Sequence, residues 1–141
     1  MKPVEYKDIV HELPMVNEPA EMYYYTSRTN IGNTYVKLLD EVVTLTDEVI
    51  SKWLNITPRT FRNYKTKDAQ LKDNTQEHVV SLLSLYKHGT EVFDSKDKFE
   101  KWLTQENFFL DNKAPMNFLE TISGIRLIDG RLTAMEFGEN V

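Results

Sequence analysis

The sequence predicts an all-α protein of about six or seven helices, in which a helix-turn-helix domain is followed by a smaller helical domain. Apolar residues recur three and four positions apart along most of the chain, which is typical of amphipathic helices, and no segment alternates as a strand would. Proline, glycine and asparagine lie between these segments. The 141 residues, 40% of them apolar, are enough for one compact domain or two very small ones.

Residues 1–28 are predicted to form a flexible or partly helical arm. Pro3, Pro14 and Pro19 interrupt a segment of mixed charge, so at most a short helix is expected before Pro14. Residues 23–25 are all tyrosine, and three roles are open for them: a helix core, a dimer contact, or part of the arm.

Two apolar stripes frame the domain predicted over residues 29–90. The first runs from Ile31 to Val42 and predicts one helix. The second runs from Val79 to Phe93 and predicts a long helix that passes through Gly89 on its apolar face. Because glycine has no side chain, we expect another element to pack closely at Gly89.

Residues 46–65 carry the most specific pattern in the chain, that of a helix-turn-helix. Thr46 can cap a first helix, and Asn55 stands where the chain must turn through a left-handed backbone conformation. Thr57 and Pro58 suit the start of a second helix. Ser51 places a small side chain where the two helices would cross.

The second helix of this unit is predicted to read DNA. If its two aromatic residues, Phe61 and Tyr64, face the core, helical spacing directs its polar residues outward. Arginine can pair with guanine and asparagine with adenine. Two lysines at the far end are expected to contact phosphates. The predicted DNA-binding residues are Thr57, Arg59, Thr60, Arg62, Asn63, Lys65 and Lys67.

Charge is unevenly distributed along the chain. The formal net charge is −5, yet residues 46–90 carry seven basic and five acidic side chains. Residues 52–67 contain five basic side chains and no acid. The sequence therefore predicts a local basic face on which a polyanion could bind.

Three shorter helices are predicted in the C-terminal domain, residues 91–141. The first follows residues 94–95 and carries an aromatic stripe. A turn at residues 111–113 leads to a second helix, begun by Pro115 and ended by Gly124. The third has an apolar stripe and stops at Gly138, a residue type suited to the left-handed position after a helix.

The residue types that catalysis and metal binding require are absent or scattered. The chain has no cysteine, its three histidines are isolated, and its five glycines form no phosphate-binding loop. We therefore predict no enzyme, no catalytic residue, no metal and no cofactor. Without an apolar run of about 20 residues or an N-terminal leader, a cytoplasmic protein without membrane contact is expected.

A pattern of apolar and turn residues runs through the C-terminal half. It consists of Val92-Phe93, Phe99-Glu100-Lys101-Trp102-Leu103, Asn107, Leu110, Pro115, Phe118-Leu119, Thr121, Gly124, Leu132 and Glu136-Phe137-Gly138. This pattern resembles the toxin-binding domain of the Xre/MbcA/ParS antitoxins, and the resemblance covers about residues 35–138 when the helix-turn-helix is included. It implies an Xre-like helix-turn-helix domain followed by a small helical toxin-binding domain.

The resemblance implies the antitoxin of a type II toxin–antitoxin system. Such an antitoxin would occlude a toxin of the RES type, which degrades NAD, or of the related ADP-ribosylating type, and would repress its own operon by binding operator DNA. A homodimer and larger assemblies with the toxin are also implied. The toxin contacts carried over by position lie in the last helix and tail: Arg126, Arg131, Met135, Phe137, Gly138 and Val141.

One loop departs from the family's pattern. Glu106 stands where a proline often precedes the asparagine, and residues 111–113 replace a turn that contains glycine. These differences change the shape of the loop rather than the helices, so they bear on the identity of the toxin.

Two other functions are open on the sequence. The chain could be a stand-alone transcriptional regulator whose C-terminal domain only dimerises, in which case no toxin gene would lie beside its own. It could also be a helical interaction scaffold that does not bind DNA. The scaffold predicts that Arg59→Ala with Arg62→Ala leaves nucleic-acid affinity and its salt dependence unchanged.

Overall fold

The computed structural model describes residues 6–68 and 70–138. Within these ranges the chain is helical and has no strand, and Asn107 and Lys113 form one isolated bridge. Two short 3₁₀ helices lie at Phe108–Leu110 and Pro115–Phe118. The α-helices are α1 (Tyr6–Glu12), α2 (Pro19–Arg28), α3 (Asn33–Val42), α4 (Asp47–Leu54), α5 (Pro58–Thr66), α6 (Asp73–Phe93), α7 (Lys96–Thr104) and α8 (Ile122–Glu136). The predicted all-α class is confirmed, with more helices than expected.

Helix α6 forms the centre of the fold. It is the longest helix, and α1, α2, α3, α4, α7 and α8 all pack against it. Eleven of its 21 residues are buried, including polar ones such as Ser81 and His78. A helix that is buried around most of its circumference must be surrounded by other helices, which explains why α6 organises the rest. The predicted domain boundary at residue 90 lies inside α6, so the two predicted units share this helix.

Gly89 allows α7 to pack closely on α6, as the sequence predicted. A side-chain carbon placed on Gly89 would lie 2.3 Å from two ring atoms of Phe99. The Phe99 ring is fully buried and meets the ring of Tyr86 edge-on at 5.1 Å between centroids. The absence of a side chain at Gly89 is therefore what lets the aromatic face of α7 reach the central helix.

The N-terminal segment corrects one expectation. The prolines predicted a flexible or partly helical arm over residues 1–28, but α1 and α2 pack against α6, and Ile9, Leu13 and Met22 are buried in the common core. Proline shows where a helix must break, but it does not reveal whether the intervening apolar residues find a core. Tyr25 is partly buried against the same core, and its hydroxyl lies 2.6 Å from that of Tyr35.

The segment before α8 corrects a second expectation. Pro115 begins only a four-residue 3₁₀ helix, and Gly124 lies in the first turn of α8 rather than at a helix end. The Gly124 amide donates to the hydroxyl of Thr121, and a side-chain carbon on Gly124 would lie 1.8 Å from the carbonyl oxygen of Phe118. This glycine serves close packing, not chain reversal. Gly138 has a φ of 78° just after α8, as predicted.

Candidate DNA-binding and partner-binding surfaces

The turn between α4 and α5 has the geometry that the sequence predicted. The Thr46 hydroxyl accepts from the Val49 amide at the start of α4, and Asn55 ends that helix with φ 58° and ψ 39°. The amide of Ile56 then donates to the carbonyl of Ser51 over 3.0 Å, which closes the end of α4. The Thr57 hydroxyl accepts from the Thr60 amide at 3.1 Å and starts α5. Each local signal acts at the predicted position.

Helix α5 presents a polar face to solvent. Phe61 is fully buried and Tyr64 packs against the core, so the opposite side of the helix exposes Arg59, Arg62 and Asn63. Within the described part of the chain, neither guanidinium group takes part in an ion pair or hydrogen bond. Two unpaired guanidinium groups therefore stand one turn apart on the outer face of a helix that begins at a sharp turn.

The remaining predicted DNA-binding residues divide into two groups. Thr57 and Lys67 are exposed at the two ends of α5, while Thr60 is half-buried and its hydroxyl bonds to that of Thr57. Lys65 is different. Its Nζ lies 3.3 Å from a carboxylate oxygen of Asp40, and only 19% of its side chain is exposed. Its predicted contact with phosphate would therefore compete with an ion pair that Lys65 already makes within the fold.

The predicted helix-turn-helix, α4 and α5, is joined to the C-terminal region by directed hydrogen bonds. The indole nitrogen of Trp53, at the end of α4, donates to the carbonyl of Met116 over 3.0 Å. The side-chain amide of Asn55 donates to the carbonyl of Glu120, also over 3.0 Å. Lys52 pairs with the Glu120 carboxylate at 3.5 Å. These contacts tie the turn of the predicted DNA-binding unit to the segment that leads into α8.

A buried carboxylate makes a second connection between the two units. Glu100, on α7, is 5% exposed and accepts hydrogen bonds from the backbone amide of Thr44 at 3.0 Å, from the Thr44 hydroxyl, and from the Tyr86 hydroxyl at 2.7 Å. Burial and the neighbouring carboxylate raise the pKa of Tyr86, so the phenol keeps its proton and remains a donor. The carboxylate therefore holds the α3–α4 loop, α6 and α7 together.

His88 fastens the C-terminal half of α8 to α6. Its Nδ1 lies 2.6 Å from the Asp129 carboxylate, and its Nε2 contacts the Glu136 carboxylate. Asn17 donates to the other oxygen of Asp129 at 2.7 Å, which brings the N-terminal segment into the same cluster. Hydrogen bonding to Asp129, opposed by burial and supported by Glu136, raises the pKa of His88 to about 9. The imidazole is therefore protonated at neutral pH and bridges two acidic residues of α8.

The predicted toxin-contacting residues are not all equally accessible. Phe137 is 80% exposed and Gly138 is exposed, at the end of α8. Arg126 is half-buried, as is Met135, which packs against the core. Arg131 is also half-buried, and its guanidinium lies 4.8 Å from the ring centre of Phe109. Val141 lies outside the described residues.

Phe108 and Phe109 are surface residues that the sequence reasoning missed. They are 80% and 48% exposed and lie in the 3₁₀ helix between the two bridge residues, Asn107 and Lys113. One signal could have found them: the two adjacent phenylalanines belong to no helical stripe. Among the described residues no group of acidic or histidine side chains has the arrangement of a metal site, and no helix is long and apolar enough to cross a membrane.

Comparisons with known proteins give the same assignment for the C-terminal part. Residues 88–138 match the antitoxin Xre/MbcA/ParS C-terminal toxin-binding domain. The fold is similar to that of a chain in the crystal structure of the M. tuberculosis MbcT–MbcA toxin–antitoxin complex, with a TM-score of 0.61 and 16% identity over 77% of this chain and 96% of that one. No curated protein matches the sequence. The family match is to a binding domain, which agrees with the prediction that the chain is not an enzyme.

Proposed function

We propose, from the match of residues 88–138 to the Xre/MbcA/ParS C-terminal toxin-binding domain, that this protein is the antitoxin of a type II toxin–antitoxin pair. It binds and occludes its toxin through the C-terminal surface. It also binds operator DNA through α5 and thereby regulates its own operon. A homodimer is the expected DNA-binding form, because a helix-turn-helix commonly reads two half-sites. Binding of toxin to each subunit of this dimer would give a larger assembly.

The observation that carries the proposal is the family match over residues 88–138. The distribution of exposed apolar side chains supports it. Of the seven large apolar side chains that the structure shows as exposed, four lie in this stretch, and the other three are Met15, Tyr23 and Tyr24 in the N-terminal segment. Exposed apolar surface that gathers in one region marks a site of association with another macromolecule.

Operator binding is supported by the form and charge of α5. Arg59, Arg62 and Asn63 lie on the outer face of a short helix whose N-terminal end is free of acidic side chains. Arginine and asparagine are the residues that pair with guanine and adenine in the major groove. Thr57 and Lys67 lie at the ends of the helix, where phosphates flank a recognition helix. Lys65 is not among the proposed DNA contacts, because it forms an ion pair with Asp40 within the fold.

The toxin-binding part of the proposal is tested with the product of the neighbouring reading frame. That protein should inhibit growth when expressed alone, and growth should recover when this chain is expressed with it. The two purified proteins should also form a complex by size-exclusion chromatography. A neighbour that is harmless and does not associate would contradict the antitoxin function.

The DNA-binding part is tested by electrophoretic shift on the promoter fragment of the same operon. Replacing both Arg59 and Arg62 with alanine should lower affinity at least tenfold, since each base-reading arginine contributes about 1–3 kcal/mol. Lys98→Ala with Lys101→Ala is the matched control, because it removes two exposed charges from α7 instead. That control should change affinity by less than about threefold at a fixed salt concentration.

Three results separate the alternatives. DNA binding without any toxin interaction would favour the stand-alone regulator whose C-terminal domain only dimerises. An affinity that is equal in wild type and in the Arg59/Arg62 variant, at every salt concentration, would favour the scaffold. An equal loss of DNA affinity in the arginine variant and in the lysine control would indicate that the protein binds DNA through net charge alone.

A further inference from the structure

We infer that the turn bearing Phe108 and Phe109 is the apolar anchor of the toxin-binding surface, and that its two phenyl rings insert into an apolar recess on the toxin. The inference rests on the proposed function and adds to it a contact outside α8 and the tail. Three features of the structure carry it: the exposure of the two rings, the rigidity of the turn, and its continuity with α8.

Two pairs of adjacent aromatic rings are exposed, Tyr23–Tyr24 on α2 and Phe108–Phe109, and the second lies within the residues that match the toxin-binding domain. Phe61 and Phe99 are fully buried, whereas Phe108 is 80% exposed and Phe109 is 48% exposed. Their rings meet edge-on, with centroids 5.5 Å apart, so together they form one continuous apolar protrusion. Adjacent exposed aromatic rings are costly to keep in water and are enriched where proteins bind partners.

The turn holds the two rings in a fixed position. The side-chain oxygen of Asn107, a buried residue, accepts from the backbone amide of Phe109 at 2.9 Å. The backbone amide of Asn107 donates to the carbonyl of Lys113 at 3.1 Å. Leu110 is buried below the turn. Residues 111 and 112 both take the left-handed conformation that closes it, although neither is glycine. A turn ordered before binding loses little conformational entropy when the partner docks.

The protrusion is continuous with the surface of α8. The guanidinium of Arg131 lies over the Phe109 ring at 4.8 Å from its centre. Leu127, one helical turn before Arg131, is also exposed. Aromatic rings beside an arginine are the side chains that dominate binding energy in protein interfaces. The occupant we assign is therefore the toxin that the C-terminal domain binds, in contact with the turn and α8 at once.

The test is titration calorimetry of the full chain against the purified product of the neighbouring reading frame. Phe108→Ala with Phe109→Ala should weaken binding at least thirtyfold, and Phe108→Ala alone should account for a large part of that loss. The control is Tyr23→Ala with Tyr24→Ala, which removes two exposed aromatic rings from α2 and should leave affinity unchanged within twofold. Circular dichroism and affinity for promoter DNA should be the same for all variants.

Each outcome has a distinct meaning. If the wild-type chain binds the neighbouring protein and the phenylalanine variants bind it within threefold of wild type, the anchor is wrong and the proposed function stands. If the tyrosine control weakens binding as much as the phenylalanine variants, the effect is not specific to this turn, which also overturns the inference. If the wild-type chain does not bind at all, the proposed function fails and the anchor fails with it.

Discussion

Substituting Gly89 with alanine tests how α7 is joined to the central helix. The added methyl carbon would lie 2.3–2.5 Å from three ring atoms of Phe99, well inside contact distance. The ring cannot easily move away, because it is fully buried and stacks on Trp102 with 6.2 Å between centroids. Overpacking of a close-packed core costs about 1–3 kcal/mol, and the rigid surroundings of Phe99 place this case at the upper end.

The net effect is smaller, because alanine favours the helix over glycine by about 1 kcal/mol. We therefore expect Gly89→Ala to lower the free energy of unfolding by about 2 kcal/mol and the melting temperature by about 8 °C. Gly130→Ala is the matched control: it also lies inside a helix, but nothing surrounds the position within 4 Å, so it should stabilise the protein by up to about 1 kcal/mol. The two variants are compared by urea titration and by thermal melting. A Gly89→Ala protein that unfolds at or above the wild-type midpoint would refute the packing argument.

Two further predictions concern the polar clusters. His88 has a pKa raised to about 9 from its ordinary value of 6.5, so its contribution is complete below pH 6.5 and is lost as the pH rises through 9. Because Glu136 is half exposed and screened, we expect a loss of about 1–2 kcal/mol in urea titrations between pH 6.5 and 10, and His88→Gln should abolish this slope. Glu100→Ala should lower the free energy of unfolding by about 3 kcal/mol, because it leaves the donors of Thr44 and Tyr86 without their acceptor in the interior. Glu100→Gln, which keeps one acceptor oxygen, should lower it less, and the reverse order would contradict this account.

The geometry of α4, α5 and the turn between them was predictable because its determinants are local. Thr46, Asn55 and Thr57 each act on backbone groups within a few residues, so the sequence contains the whole interaction. The exposed face of α5 followed from helical spacing once Phe61 was placed inside. The pairing of Lys65 was not predictable, because its partner belongs to another helix and only the packing of α3 on α5 brings the two together.

The remaining errors have the same origin. A proline-rich segment can be a loose arm or a packed one, and burial of Ile9 depends on whether α6 offers an apolar surface to cover. Likewise, a glycine between two helical stripes suits either a helix end or a close contact. At Gly124 it is a close contact, because the carbonyl oxygen of Phe118 occupies the space that a side chain would need. The exposure of Phe108 and Phe109 depends on how the turn is held against the body of the protein. These are properties of tertiary contacts, which no local pattern records.

The joint between the two predicted units bears on how the two proposed binding activities are related. Trp53 and Asn55 belong to the turn that orients α5, and both donate to the backbone just before α8. Glu100, on α7, accepts a hydrogen bond from the backbone amide of Thr44 in the loop before α4. Because these bonds are directed, and those of Trp53 and Glu100 are partly buried, α5 cannot reorient relative to α8 without breaking several of them, at about 1 kcal/mol each. The helix proposed to read DNA and the helix proposed to contact the toxin therefore belong to one framework, and a toxin bound on α8 would have a fixed position relative to any DNA bound by α5.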